Sequence, residues 1–269
     1  EIEQQIRKDA EIDFDITRVN WFSTYKVHTR HVSRFSAGRC FLAGDSAHIH
    51  TPAGAQGMNT GIQDGYNLAW KIASVLKGHT DGRILDTYNE ERLPNAEALM
   101  KTTDRFFNLV ASPHWLMAFI RIYVFPYVAQ FLFSLDAVKR FVFPRISQIA
   151  INYRESSLSS SEVRFKVKAG DRMPWLRING ASVYDHLRKP GWHLVAFADD
   201  IDNAPSLPAD VITSRLGPID SHVFAIDDVI TNTFASSSAF FLLIRPDNYI
   251  GLISNEFTPS GIEDYLERL

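Results

Sequence analysis

The stretch Cys40–Gly78, CFLAGDSAHIHTPAGAQGMNTGIQDGYNLAWKIASVLKG, decides the reading of this chain. Its first four residues, Cys40 to Ala43, are a short apolar run beside glycines, the pattern of a buried strand. Gly44 permits a sharp exit and leaves Asp45 at the strand tip. A loop carrying Pro52, Gly54 and Gly57 follows. The spacing of Ile62, Tyr66, Ala69, Ile72, Ala73 and Leu76 then predicts a helix from about Asn59 or Thr60, with those residues as its apolar face and Gly78 as its C-terminal cap. Strand, turn, glycine-rich loop and helix in that order make a ligand cradle. A helix start offers unpaired N–H groups and a positive dipole end to an anion or an electron-rich ring edge. A carboxylate at the strand tip is placed to accept hydrogen bonds from sugar hydroxyls. By spacing alone Asp45 reads equally as a turn or cap residue, so these features support a cofactor site without naming the cofactor.

The residues themselves carry a resemblance. Gly38 to His48, GRCFLAGDSAH, is similar to the second flavin fingerprint of class A flavoprotein aromatic hydroxylases, the group of phenol hydroxylase and para-hydroxybenzoate hydroxylase. The likeness runs on without a gap through Pro52, Gly54, Gln56 to Gly61, Gln63, Asp64 and Asn67 to Lys71, and Tyr88, Glu91, Arg92 and Pro94 resemble the next helix of that family. Gly170 to Pro174, GDRMP, and Arg245, Pro246, Asp247 resemble the C-terminal domain of the phenol hydroxylase branch. The resemblance is strong from 38 to 94 and looser beyond.

It implies FAD, held by a site including Gly44, Asp45, Pro52, Gly54, Gln56, Gly57, Met58 and Asn59. In that placement Asp45 binds the ribityl chain, Pro52 lies against the isoalloxazine ring, and Gly57, Met58 and Asn59 face its pyrimidine edge. It also implies NAD(P)H as a transient reductant, O2 as co-substrate, and hydroxylation of a phenol or related aromatic compound. A non-aromatic or polyketide substrate and a non-catalytic binding or dimerisation module are the alternatives. The oxygen chemistry belongs to the cofactor, while the protein supplies position and field. No catalytic residue is assigned. Members of the family open with a GxGxxG strand–turn–helix for the ADP half of FAD, whereas this chain has no GxGxxG and starts at Glu1. The chain is therefore expected to be the C-terminal part of a longer protein, with substrate-activating residues upstream, and to be inactive alone.

The resemblance also implies the fold class: α/β, the C-terminal portion of an FAD-binding Rossmann-like (GR2-type) domain followed by a thioredoxin-like α/β domain. Residues 1–155 are assigned to the FAD and substrate region, 156–164 to a Ser-rich linker (Ser156, Ser157 and Ser159 to Ser161) and 165–269 to the thioredoxin-like domain. Asn20 to Val27 reads as a strand. Beyond the linker the apolar runs Trp192 to Phe197, Val211 to Thr213, Val223 to Ala225, Phe240 to Ile244 and Tyr249 to Ile253 read as strands among helices, the last two as a hairpin. Cys40 is the single cysteine of the chain, so the last domain does no thiol redox work, and a subunit-contact role in a homodimer is expected.

Composition bounds the rest. In 269 residues, 45% hydrophobic content supports a sizeable core, and a net charge of −3 without a charge run gives no reason to expect nucleic acid. Absence of disulfides favours the cytoplasm. His48 and His50 stand beside Asp45 without further ligand spacing, so no metal is expected and His48 is read as a loop support. Asp64 and Asn67 are read as local partners. Leu116 to Phe133 is nearly long enough for a bilayer, but Arg121, Pro126 and Gln130 interrupt it, which argues for helices packed on protein and no membrane partner.

Overall fold

A short helix, α1 (Ile2–Ala10), leads into an extended segment and then two small antiparallel ribbons. Strand β1 (Arg30–His31) pairs with β4 (His48–Ile49), and β2 (Ser36–Ala37) pairs with β3 (Cys40–Phe41). Two long helices follow, α2 (Gly57–Leu76) and α3 (Asp86–Ala111), then α4 (Trp115–Phe119), a π-helical turn (Ile120–Val124), α5 (Phe125–Ser134) and α6 (Asp136–Ile146). The computed structural model describes residues 2–10, 12–24, 28–51, 56–112, 114–161, 165–178, 180–202, 204, 206, 209–256 and 258–269.

The C-terminal part is built on β5 (Ser160–Ser161), the ribbon β6 (Arg177–Ile178) and β7 (Ala181–Ser182), α7 (Val183–His186), β8 (Trp192–Ala198), α8 (Ala209–Leu216), β9 (Ile219–Ala225), α9 (Asp228–Phe234), β10 (Phe240–Ile244), β11 (Ile250–Ser254) and α10 (Pro259–Leu266). Five strands form one sheet in the order β5-β11-β10-β8-β9. β8 and β9 run parallel through α8, β10 returns antiparallel to β8, and β11 closes a hairpin on β10. This βαβαββα order is the thioredoxin-like arrangement. Strands β8, β10 and β11 are buried throughout, which explains why they read as unbroken apolar runs rather than alternating ones. One sheet face packs Val195, Phe197, Phe240 and Leu242 against Phe165, Met173 and Phe234. The other packs Leu194, Phe241 and Leu243 against Ile212, Ile262 and Tyr265, and also against Trp70 of α2. The flavin-motif helix and the thioredoxin-like unit therefore share a core.

Several sequence expectations change. The apolar set on α2 is the exposed face: Ile62 is 63% and Leu76 81% accessible, and Tyr66 is exposed. The buried residues are Thr60, Asp64, Asn67, Trp70, Lys71 and Ser74. A polar face can be buried when its groups find partners; here these come from α3, the β10–β11 turn, Gly44, His48 and Gln148, with Asn67 Oδ1 left unbonded. The helix begins at Gly57, before Asn59. The strand at Cys40 is two residues long and Cys40 is exposed, because its pairing is with β2 alone. Residues 20–24 form no strand, with Trp21 and Phe22 exposed, and Tyr25, Lys26 and Val27 lie outside the described residues. Val211 to Thr213 lies in α8, whose buried residues Ile212 and Leu216 stand four apart on one helical face.

The Ser-rich stretch is not a free linker. Ser156 is buried, Leu158 is fully buried, and Ser160–Ser161 pairs in parallel with β11. Positions 162–164 lie outside the described residues. The segment Trp115–Ser134, with mean hydropathy 1.6, is long and apolar enough to cross a bilayer, and none of it is buried within the chain. Helices α4 and α5 are thus not packed on this chain as the proline and charge pattern suggested.

Candidate functional site

Gly44 turns the chain with φ +59 into a single 3-10 turn, Gly44–Ser46. Ser46 Oγ donates to the carbonyl of Ala43 at 2.8 Å and accepts from its amide at 3.2 Å, which locks the turn. Asp45 stands exposed on it, and no described residue donates to its carboxylate. The turn lies directly on the first turn of α2: a Cβ at Gly61 would come 3.1 Å from Gly44 Cα. A side chain at Gly61 would crowd that approach, since backbone faces backbone and one of the two would have to shift by a few tenths of an ångström.

Beneath the contact lies Asp64, fully buried. It accepts from the amide of Gly44 (3.1 Å), from His48 Nε2 (2.7 Å) and from Arg92 Nε (2.7 Å). Arg92, on α3, also donates to Tyr153 Oη (2.9 Å) and to the Thr60 carbonyl (3.3 Å). Burial pushes the Asp64 carboxyl up, but the bonds from His48 and Arg92 and the Arg92 charge outweigh it and hold it below its ordinary range. His48 thus supports the turn, as the sequence suggested, whereas Asp64, read there as a local partner, joins the turn to α3 through residues 16 to 28 positions away; Tyr88 adds a bond from its hydroxyl to the Leu42 carbonyl at 2.8 Å.

The N-terminus of α2 is open. Gln56 occupies the cap position in helical conformation without a capping side chain, and the first helical bond runs from the Thr60 amide to the Gln56 carbonyl at 3.0 Å. The amides of Gly57, Met58 and Asn59 meet no acceptor among the described residues. Met58 and Asn59 are exposed, and Gly57 packs on the His50 ring, whose Nε2 would lie 3.0 Å from a Cβ there. The structure therefore brings Gly44, Asp45, Gly57, Met58 and Asn59 to one place. Gln56 is there by its backbone only, because its side-chain amide donates to the carbonyls of Ile146 (2.9 Å) and Arg145 (3.4 Å) at the end of α6. Pro52 and Gly54 lie outside the described residues.

Behind this site sits a second buried cluster. Glu91 accepts from Lys71 Nζ (2.8 Å), from both terminal nitrogens of Arg245 (2.6 and 2.9 Å), from Asn67 Nδ2 (2.7 Å) and from Ser156 Oγ (2.7 Å). Asp247 accepts from Arg245 Nε and Nη2 (3.0 and 2.7 Å), from Trp70 Nε1 (3.0 Å) and from Asn67 Nδ2 (3.3 Å). Two cations meet two carboxylates. Burial alone would raise the Glu91 carboxyl, yet the Arg245 and Lys71 charges hold it well below its ordinary range. Lys71 is lowered to about 8, burial and the Arg245 charge outweighing Glu91. Arg245 and Asp247 sit on the β10–β11 turn, closed by Asn248 in the left-handed region at φ +63. The cluster thus bolts the thioredoxin-like sheet to α2 and α3.

In the sequence Asn67 reads as a local partner and Ser156 as part of a linker, whereas Asn67 bonds Glu91 on α3 and Asp247 on the β10–β11 turn and Ser156 bonds Glu91; the other members stood there only as parts of a motif. The usable signal was the polar stripe Thr60, Asp64, Asn67, Lys71, Ser74, which has the spacing of a buried face. Among the described residues no cluster suited to a metal ion occurs.

Residues 1–103 match the family of FAD binding domains. The chain is 34% identical over 262 residues to a flavin-dependent monooxygenase of Mycobacteroides abscessus, across 96% of this chain and 46% of that protein. The chain belongs with the class A flavoprotein hydroxylases. It is also 34% identical over 259 residues to a 6-methylpretetramide 4-monooxygenase of Streptomyces rimosus, across 87% of this chain and 45% of the relative. The solved structure of OxyS anhydrotetracycline hydroxylase from Streptomyces rimosus superposes with a TM-score of 0.70 at 25% identity, covering 99% of this chain and 52% of that one. The chain spans about half the length of the curated relatives it matches.

FAD fits the donor set present. The open amides of Gly57 to Asn59 suit the electron-rich edge of a flavin ring, the exposed Asp45 suits a polyol chain, and the Gly44–Gly61 contact holds the two at fixed separation.

Proposed function

We propose that this chain forms the ring-side half of the FAD site of an NAD(P)H-dependent monooxygenase that hydroxylates a phenol or related aromatic compound. The observation that carries the reading is the uncapped N-terminus of α2 held against the Gly44–Ser46 turn with Asp45 free beside it. FAD bound there would supply hydride acceptance from NAD(P)H and activation of O2. The residues of this chain bind and orient. Asp45 accepts hydrogen bonds from the polyol chain, and the Gly57, Met58 and Asn59 amides, with the helix dipole, stabilise negative charge at the ring edge by roughly 0.3 to 2 kcal/mol. Asp64, His48 and Arg92 keep the turn and the helix start in register. The ADP side of the cofactor and the groups that activate the substrate belong to the part of the relatives' length that this chain does not span.

Asp45→Ala tests the assignment. In the protein carrying both halves of the site, loss of charge-assisted bonds worth about 1.5 to 3 kcal/mol weakens FAD roughly ten- to hundredfold. Equilibrium dialysis against FAD reads the change, with circular dichroism as the check on folding. Unchanged affinity removes Asp45 from the site. The 269 residues alone are expected to leave gel filtration without stoichiometric flavin absorbance.

A second reading replaces the simple phenol by a polyketide substrate of the 6-methylpretetramide kind. It is favoured by the relative acting on that compound, which matches over 87% of this chain. NAD(P)H oxidation in the presence of each substrate class, with product analysis, separates the two.

A further inference from the structure

Gln148 follows the end of α6 in the left-handed region, φ +59, and is 4% exposed. A helix commonly ends on such a residue, but the usual occupant is glycine or asparagine, since a larger L side chain pays for the conformation. The backbone part of the cap is ordinary: the Gln148 amide donates to the Arg145 carbonyl at 3.3 Å, and the Ala150 amide to that of Pro144 at 2.9 Å. Glycine would serve that purpose with less strain. The side chain does something glycine could not. Its Nε2 donates to Thr60 Oγ1 (2.8 Å) and to the Gln56 carbonyl (3.3 Å), and its Oε1 accepts from Gln63 Nε2 (3.1 Å).

The link is reciprocal. Gln56 Nε2 donates back to the Ile146 and Arg145 carbonyls, and Thr60 Oγ1 donates to the Gln56 carbonyl at 2.9 Å. Two glutamine side chains therefore cross between the last turn of α6 and the first turn of α2. The Gln56 carbonyl that Gln148 holds is also the acceptor of the first helical bond of α2. The direction of the Gly57, Met58 and Asn59 amides is therefore set by this pair of side chains together with the Gly44–Gly61 contact, the packing of Gly57 on the His50 ring and the Arg92 bond to the Thr60 carbonyl.

We infer that Gln148 is a positioning residue for the flavin-facing turn of α2, acting through Gln56 and Thr60. The inference rests on the FAD reading above. It accounts for a strained, buried glutamine where a capping glycine would suffice, and it ties the aim of the ring-edge amides to the helices between the two halves of the chain.

Gln148→Gly separates positioning from capping, because it relieves the strain while deleting the amide. In the cofactor-free 269-residue chain, hydrogen exchange at the Thr60 amide, which is bonded to the Gln56 carbonyl, should accelerate about fivefold or more, as expected for a lost hydrogen bond, while the thermal midpoint does not fall by a comparable amount. Thr60→Val should reproduce the faster exchange, and the double variant should add little. In the FAD-loaded protein the same variants should weaken FAD about fivefold and move the flavin midpoint potential. Unchanged exchange at the Thr60 amide overturns the inference whatever the flavin does. So does faster exchange with unaltered FAD affinity and potential, provided Asp45→Ala weakens FAD in the same assay. If the wild type binds no FAD, the FAD reading fails, and the exchange comparison alone decides whether Gln148 holds the turn.

Discussion

Arg245→Met should be the most damaging single change in the charged cluster. Arg245 is fully buried and makes four hydrogen bonds, two to Glu91 and two to Asp247, and its guanidinium lies 5.1 Å from the Trp70 ring centroid. Methionine keeps most of the volume and removes the charge. Two buried carboxylates then face one ammonium, that of Lys71, so a neutral cluster becomes one with an uncompensated negative charge. Breaking such a pair from one side costs about 3 to 5 kcal/mol, whereas replacing both partners by apolar groups can be nearly neutral. Urea unfolding followed by tryptophan fluorescence reads the loss, and Trp70 reports directly because its Nε1 donates to Asp247. Adding Glu91→Gln to Arg245→Met should recover part of the stability, since the stranded charge goes with it. The variant should also become cleavable near Ser156, which is held by Glu91 in the wild type. The exposed pair Arg83–Asp81 provides the control, and Arg83→Met should leave unfolding unmoved. A loss below about 1 kcal/mol for Arg245→Met, without partial recovery in the double variant, would refute the claim that this cluster bolts the two parts together.

Gly61→Ala places a methyl 3.1 Å from Gly44 Cα, where both sides are backbone; it should cost about 1 to 3 kcal/mol and weaken FAD, and wild-type values in melting and dialysis would sink the close-contact argument. Gly170→Ala should be worse, because φ is +85 and the added carbon would lie 2.5 Å from Tyr153 C and Arg154 N; a urea midpoint equal to wild type would contradict it. Burial lowers His193, and burial with the neighbouring His193 and His186 charges lowers His222. Below the unfolded value near 6.5 the unfolded chain takes up protons that the fold resists, so stability should fall as pH drops from 7.5 to 5.5. Melting curves across that window should flatten in His222→Phe; an unchanged slope would show that these rings do not set the acid response.

The flavin-motif order, the hairpin of β10 and β11 and the strands at Trp192 and Val223 were legible because each is local: a glycine at a turn, a polar loop before a helix, an apolar run of strand length. The placement of Gly44, Asp45 and Gly57 to Asn59 followed from the same local order. The burial of α2 was not legible, since an apolar stripe and a polar stripe share one helical period, and only neighbours decide which is covered. Here Arg92, Glu91, Arg245 and Asp247, from α3 and a turn about 150 residues away in sequence, satisfy the polar stripe and bury it, leaving Ile62 and Leu76 outside. The serine run likewise reads as a linker by composition, yet Ser156 pairs with Glu91 and Leu158 enters the sheet core. Local chemistry in the sequence sets what each segment can do. Which face is buried, and which charge is neutralised, is a property of long-range pairing and was decided only by the tertiary structure.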